Sequence, residues 1–234
     1  MASNELLNKA HPLKAMLALT IPSMFAQFVN ILYGVVDKLF IANMQSGSGL
    51  ALAGVGICAP ITTLITSFTY LICQGASPLF ATRLGQKDYD DAKKIMANSF
   101  LLLVIITVVL MLVFLIFKKP LLYSFGATPN NFEYASDYIT IYVLGTFFCL
   151  MSLGLNSFIT CQGKSTRAMV TVIIGALTNI LLDYIFIFPF NMGVKGAALA
   201  TIIAQAASAL FAFSFLISNK SSISACRELA YCFS

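Results

Sequence analysis

The sequence predicts an all-α, polytopic membrane protein with six transmembrane helices. Two observations lead to this fold class. First, 59% of the 234 residues are hydrophobic and only 10% are charged, whereas a soluble domain carries roughly 25% charged residues. Second, the apolar residues gather into runs long enough to cross a bilayer, which takes about 20 residues of helix. The mean hydropathy of +0.89 agrees with a chain that has lipid as its solvent.

The apolar runs give the order of the spans. They are continuous rather than alternating, and each is about twice the length of a strand in a membrane β-barrel, so helices are predicted. The predicted transmembrane helices lie near residues 16–43, 51–82, 95–117, 136–162, 168–190 and 196–219. Together with the amino-terminal residues they form one domain, 1–219.

Basic residues predict the orientation of the chain. Ten lysines and arginines lie on the side of the membrane that carries both termini and three on the other, with Lys38 at the end of the first span. The positive-inside rule therefore places both termini in the cytoplasm and the protein in the cell (inner) membrane. The net charge of +5 follows from this arrangement, and no basic patch interleaved with aromatics indicates nucleic-acid binding. Residues 220–234 are polar, as expected of a cytoplasmic tail or of the product of a truncation or frameshift.

Two acids fall within the apolar spans, where an Asp costs roughly 2.5 to 3.5 kcal/mol at a helix centre. Asp183 follows Asn179 by one turn, so both side chains share a face, and Gly175 leaves room beside it. This pair can offer oxygens to a small cation or hold a proton. The alternative is a hydrogen bond to a neighbouring helix, and for Asn179 the two interpretations remain open.

Asp37 ends a polar stripe along the first helix. Steps of three and four residues connect Thr20, Ser23, Gln27, Asn30, Gly34 and Asp37, which predicts that one side of this helix meets a water-filled cavity or another helix. Pro22 interrupts the same helix and predicts a bend, either a moving part or a static kink. In the sixth span, small residues from Gly196 to Ser208 predict a packing seam.

Enzymatic chemistry is not indicated. The single histidine, His11, precedes the first span, and the chain has no HExxH, nucleophile elbow or phosphate-binding glycine loop. The sequence therefore predicts neither an enzyme nor an organic cofactor.

Three stretches, in order and at their spacing, resemble a known family. They are IPSMFAQFVNILYGVVDKLFIA in the first span, GQKDYDDAKK after the second, and TNILLDYIFIF followed by GVKGAALATIIAQ. The chain resembles the amino-terminal six-helix lobe of a multidrug and toxic compound extrusion (MATE) transporter, of the bacterial and archaeal type.

The resemblance implies a two-lobed, twelve-helix protein that exports organic cations in exchange for Na⁺ or H⁺ by alternating access. It implies that the first helix bends at Pro22 and that Tyr33 lies one turn before the acid, beside a cavity shared with Gln27 and Asn30. Na⁺, if used, would be held at Asp37, Asn179 and Asp183. The cation or proton site implied residue by residue is Asp37, Asn156, Asn179, Asp183 and Thr201.

The sequence leaves three functions open, because it corresponds to one lobe. A half-transporter would pair with a second copy or with a separate carboxyl-terminal lobe in the lipid bilayer. A non-transporting orphan lobe, from a gene fragment, is the second. The third is a lipid-linked precursor flippase of the same superfamily, which would line its cavity with several basic residues, and Lys38 is the one candidate here.

Overall fold

A computed structural model of the chain describes residues 12–44 and 47–217. The predicted tail, 220–234, lies outside the described residues. In the described ranges the chain is helical and contains no strand, so the all-α prediction is confirmed. The helices are α1 (Pro12–Ala42), α2 (Ser48–Gly85), α3 (Tyr89–Ile116), α4 (Lys118–Ser124), α5 (Phe132–Leu144), α6 (Thr146–Cys161), α7 (Ser165–Ile187) and α8 (Gly193–Ile217).

Within the described residues, five helices are long and apolar enough to span a membrane, and α5 and α6 make a sixth span when taken together. The helix predicted over 136–162 is thus two helices, bent by 54° at Gly145. Hydropathy alone does not reveal this break, because the apolar run continues through it. Nor did the sequence predict α4, a short helix with Pro120 in its first turn, where a missing N–H costs little.

Three apolar clusters hold the described bundle together. Two lie toward opposite ends of the spans: one contains Ile41, Leu122, Ile139 and Val194, and the other contains Phe80, Phe158 and Phe215. The third joins side chains of α2, α3, α6 and α8. The side chains of α1 and α3 that point away from the bundle are large and apolar. In lipid such a surface costs nothing, since the acyl chains are as apolar as the side chains.

The polar region between these clusters is formed by four helices. α7 packs against both α1 and α8, and α6 packs against α8. The small residues Gly196, Ala200 and Ala204 of α8 are buried, so the backbones approach closely there. This arrangement brings together the faces of α1, α6, α7 and α8 on which the polar candidates lie.

Gly54 in α2 is expected to be intolerant of alanine. A Cβ there would lie 3.0 Å from the backbone nitrogen of Ala135 and 3.2 Å from the carbonyl oxygen of Asn131, and backbone atoms cannot rotate away. Gly54→Ala should therefore lower the free energy of unfolding by about 1 to 3 kcal/mol, measured by thermal unfolding in detergent. Gly56→Ala, on the same helix with no described atom within 4 Å, is the matched control. Equal stability of the two variants would contradict the expectation.

Candidate functional site

Two buried carboxyl groups form the centre of the site. Asp37 of α1 is 8% exposed and Asp183 of α7 is 0% exposed. Their side chains are neighbours, because α1 packs along α7. The two acids that the sequence singled out separately, 146 residues apart in the chain, thus form one pair.

In the described part of the chain, three of the four carboxylate oxygens of the pair lack the donors that a buried carboxylate needs. Among the described residues, Asp37 Oδ1 and both carboxylate oxygens of Asp183 have no hydrogen-bond partner. The side chain of Lys38 is exposed. Two ionised carboxylates in a buried site repel each other and lose their hydration, so they require a proton or a cation between them. The geometry therefore suits the uptake of a small positive ion.

Amide and hydroxyl groups extend the pair toward α6 and α8. Asn179, 1% exposed, lies one turn before Asp183, and its Nδ2 donates to Thr201 Oγ1 at 3.5 Å. Within the described residues its Oδ1 has no donor, nor does Oδ1 of Asn156 in α6. Amide, hydroxyl and carboxylate oxygens are the ligands that hard cations prefer.

A cavity opens beside these groups. It contains about 440 Å³ of empty space, part of which is open to the outside. No described lining residue is charged. The side chains and backbone that line it belong to Asn30, Tyr33, Ser152, Leu153, Asn156, Thr171, Val172, Gly175, Ala176, Asn179, Thr201, Ala204, Gln205 and Ser208.

The structure gathers most of the candidates that the sequence proposed. Asn30, Tyr33, Asn156, Asn179 and Thr201 all line the cavity, although they come from four different helices. Asp37 and Asp183 lie beside the cavity and are not part of its lining.

Two predicted residues lie elsewhere on α1. Gln27 is exposed and outside the lining. Pro22 is half-buried, inside a helix that continues from Pro12 to Ala42. Neither residue lines the cavity in the described structure.

Thr171 is a cavity residue that the sequence analysis missed. Its carbonyl oxygen accepts a hydrogen bond from Ser208 Oγ at 3.1 Å, so α7 and α8 are linked across the cavity. A signal was present: Thr171, Gly175, Asn179 and Asp183 recur every four residues, which places them along one helix face. Ser208 belongs both to the predicted packing seam and to the cavity wall.

Known proteins share this sequence and arrangement. The MatE family model matches residues 22–185, a segment that includes both acids. The chain is 26% identical over 222 residues to the multidrug export protein MepA of Staphylococcus aureus, covering 95% of the chain and 49% of that protein.

Two solved structures have the same fold. One is the outward-facing conformation of a multidrug resistance MATE family transporter of the MOP superfamily, with a TM-score of 0.87 and 28% identity over 95% of this chain and 49% of that one. The other is a MATE protein in the bent conformation, with a TM-score of 0.84 and 29% identity over 94% of this chain and 48% of that one. The chain therefore spans about half the length of the relatives that it matches.

Proposed function

This chain belongs to the MatE family, and from that premise we propose that it is one lobe of a cation-coupled antiporter that exports organic cations across the cell membrane. Members of the family are transporters, so the prediction that the chain is not an enzyme is confirmed. Its relatives include a multidrug export protein and a multidrug resistance transporter, which supports drug-like cations as substrates.

The observation that carries the proposal is the pair of buried acids, in which three of the four carboxylate oxygens have no hydrogen-bond partner among the described residues. A coupling ion, Na⁺ or H⁺, would bind at Asp37 and Asp183, with Asn156, Asn179 and Thr201 supplying neutral oxygens. Binding would offset one of the two negative charges, so that the pair shares the remaining one, and would hold α1 against α7. Release would leave two carboxylates that repel each other, which favours a different placement of α1.

The exchange of the coupling ion for an organic cation follows from the difference in charge between the ion-bound and the ion-free pair of acids. A ligand shifts a conformational equilibrium only by its differential affinity for the two states. The coupling ion favours the state in which the acids are close together, and an organic cation favours the state in which their negative charge faces the substrate. A bend of α1 at Pro22 would convert one state into the other, so that the cavity opens alternately to the two sides of the membrane.

The chemistry of the cavity favours cations over the lipid-linked precursors of a flippase. An anionic pyrophosphate carrier requires basic side chains, and the cavity wall in the described residues contains none, only neutral polar and apolar groups and Tyr33. An aromatic ring beside two acids suits an organic cation, because both attract positive charge.

The complete transporter would need a second lobe. The outward faces of α1 and α3 are apolar, as lipid or another lobe requires. A second copy, or a separate carboxyl-terminal lobe, would lie parallel to this one about an axis normal to the membrane. The asymmetry of basic residues places both ends of the lobe on the cytoplasmic side.

Ethidium efflux tests the proposal. A drug-sensitive bacterial strain expressing the 234-residue chain should export ethidium faster than the same strain carrying an empty vector. A Na⁺ ionophore or a protonophore, added separately, should stop the export and so identify the coupling ion. Absence of export, with the protein present in the membrane and able to bind neither ion, would contradict the proposal and favour the orphan lobe.

A further inference from the structure

The break in the fourth span is filled by a side chain from α8. An ideal Cβ on Gly145 would lie 2.7 Å from Cγ2 of Ile202 and closer still to its Cγ1 and Cδ1. All three approaches are well inside van der Waals contact, so the branched side chain of Ile202 occupies the volume that any other residue at 145 would need. The two helices can meet in this way only because position 145 is glycine.

Position 145 requires glycine because Ile202 leaves no room for a Cβ, and not because of its backbone conformation. Gly145 has φ −86° and ψ 0°, which other residues adopt. Hydrogen bonds continue across the break: Gly145 N–H donates to the Ile141 carbonyl at 3.0 Å, and Thr146 Oγ1 donates to the Tyr142 carbonyl at 3.2 Å. The bend therefore keeps helical hydrogen bonds on both sides of Gly145, and the contact with Ile202 braces it from α8.

The contact between Ile202 and Gly145 is adjacent in sequence to one site residue, and a small change in the bend would move another site residue by several ångströms. Thr201 directly precedes Ile202, and neighbouring side chains on a helix point about 100° apart, so α8 presents Thr201 to Asn179 while Ile202 faces the break. Asn156 follows Gly145 by eleven residues, about 16 Å along α6. A change of about 10° in the 54° bend would move Asn156 by roughly 3 Å.

We propose that Ile202 is a positioning residue for the cation site: seated against Gly145, it sets the bend between α5 and α6 and thereby the spacing of Asn156 and Thr201. Ile202 does not touch the ion. The proposal rests on the cation site of the proposed function. In it, an apolar contact between Ile202 and Gly145 determines the distance between the residues that would bind the cation.

Cation affinity in steric variants tests this role. The purified full-length chain in detergent is titrated with Na⁺ at fixed pH, and with protons in Na⁺-free buffer, while its thermal unfolding midpoint is followed. Gly145→Ala, which forces α8 away from the break, should weaken the affinity for the ion roughly tenfold or more, as when support around a metal ligand is lost. Ile202→Ala, which removes the side chain packed against Gly145, should also weaken the affinity for the ion.

The double variant separates positioning from general damage. In G145A/I202A the new methyl group occupies part of the space that the isoleucine vacated, so affinity should return to within about threefold of wild type. A purely structural role would change the midpoint without ions and leave the affinity alone. Gly75→Ala, in α2 with no described atom within 4 Å, is the control and should bind as wild type does.

Each outcome decides one of the two proposals. A wild-type chain that responds to neither Na⁺ nor protons rejects the proposed function itself. Wild-type binding with unchanged affinity in Gly145→Ala and Ile202→Ala overturns the positioning role and leaves the function intact, as does a double variant no better than the worse single one. If Gly145→Ala does not fold, Ile202→Ala and the double variant decide: the proposal requires weakened affinity in the first and recovery in the second.

Discussion

Asp183→Asn is expected to abolish cation-coupled export of ethidium while leaving the protein folded in the membrane. The substitution keeps the size of the side chain and removes the charge that attracts the coupling ion. Because Asp183 is 0% exposed and neither carboxylate oxygen has a described donor, no hydrogen bond in the described structure is lost. Affinity for the coupling ion should fall roughly 10- to 100-fold, and efflux should fall to the rate of cells without the protein.

The thermal stability of Asp183→Asn shows whether the variant has lost ion coupling or has failed to fold. Removing a buried carboxylate that lacks partners should leave the free energy of unfolding unchanged or raise it, as measured by thermal unfolding without ions. Asp90→Asn is the matched control, because Asp90 is an exposed acid whose described partner is Lys93 at 3.3 Å. Asp37→Asn should behave as Asp183→Asn does. Normal ion-coupled efflux by both buried variants would refute the role assigned to the pair.

Pro22→Ala is expected to slow export by roughly tenfold or more without removing the coupling ion's site. Proline leaves the carbonyl of Ala18 without its helical donor, and it costs about 3 kcal/mol in a helix interior relative to alanine. Alanine therefore favours the straight form of α1, by at most the part of this cost that the bend relieves; relief of half of it corresponds to roughly a tenfold change in the ratio of straight to bent forms. If α1 must bend in each cycle, the rate falls while ion affinity stays near that of wild type.

A second proline supplies the control for that experiment. Pro60 lies inside α2 and is exposed, so Pro60→Ala restores the same kind of backbone hydrogen bond away from α1. Initial rates of ethidium efflux and Na⁺ or proton affinity are measured for both variants. Efflux at the wild-type rate in Pro22→Ala would show that α1 does not need its proline to move.

Much of the site could be predicted from the sequence, because placing a polar side chain within the lipid bilayer costs free energy. A carboxylate inside an apolar run stands out against that cost, which is how hydropathy indicates Asp37 and Asp183; the helical spacing then adds Asn179, one turn before Asp183. Periodicity then placed Asn30 on one face of α1, where it now lines the cavity. Gln27 follows the same periodicity and is nevertheless exposed, because a stripe predicts a face without predicting how far a neighbouring helix covers it.

The sequence by itself determined that the chain is helical, how many spans it has and which polar residues lie within them, because these depend on local hydropathy and helical period. Only the tertiary structure decided that Asp37 and Asp183 meet, that Thr171 lines the cavity, and that the fourth span breaks at Gly145. Each of these depends on contacts between helices distant in sequence. The break depends on Ile202 of α8 filling the space beside a glycine, and nothing in residues 136–162 alone carries that information.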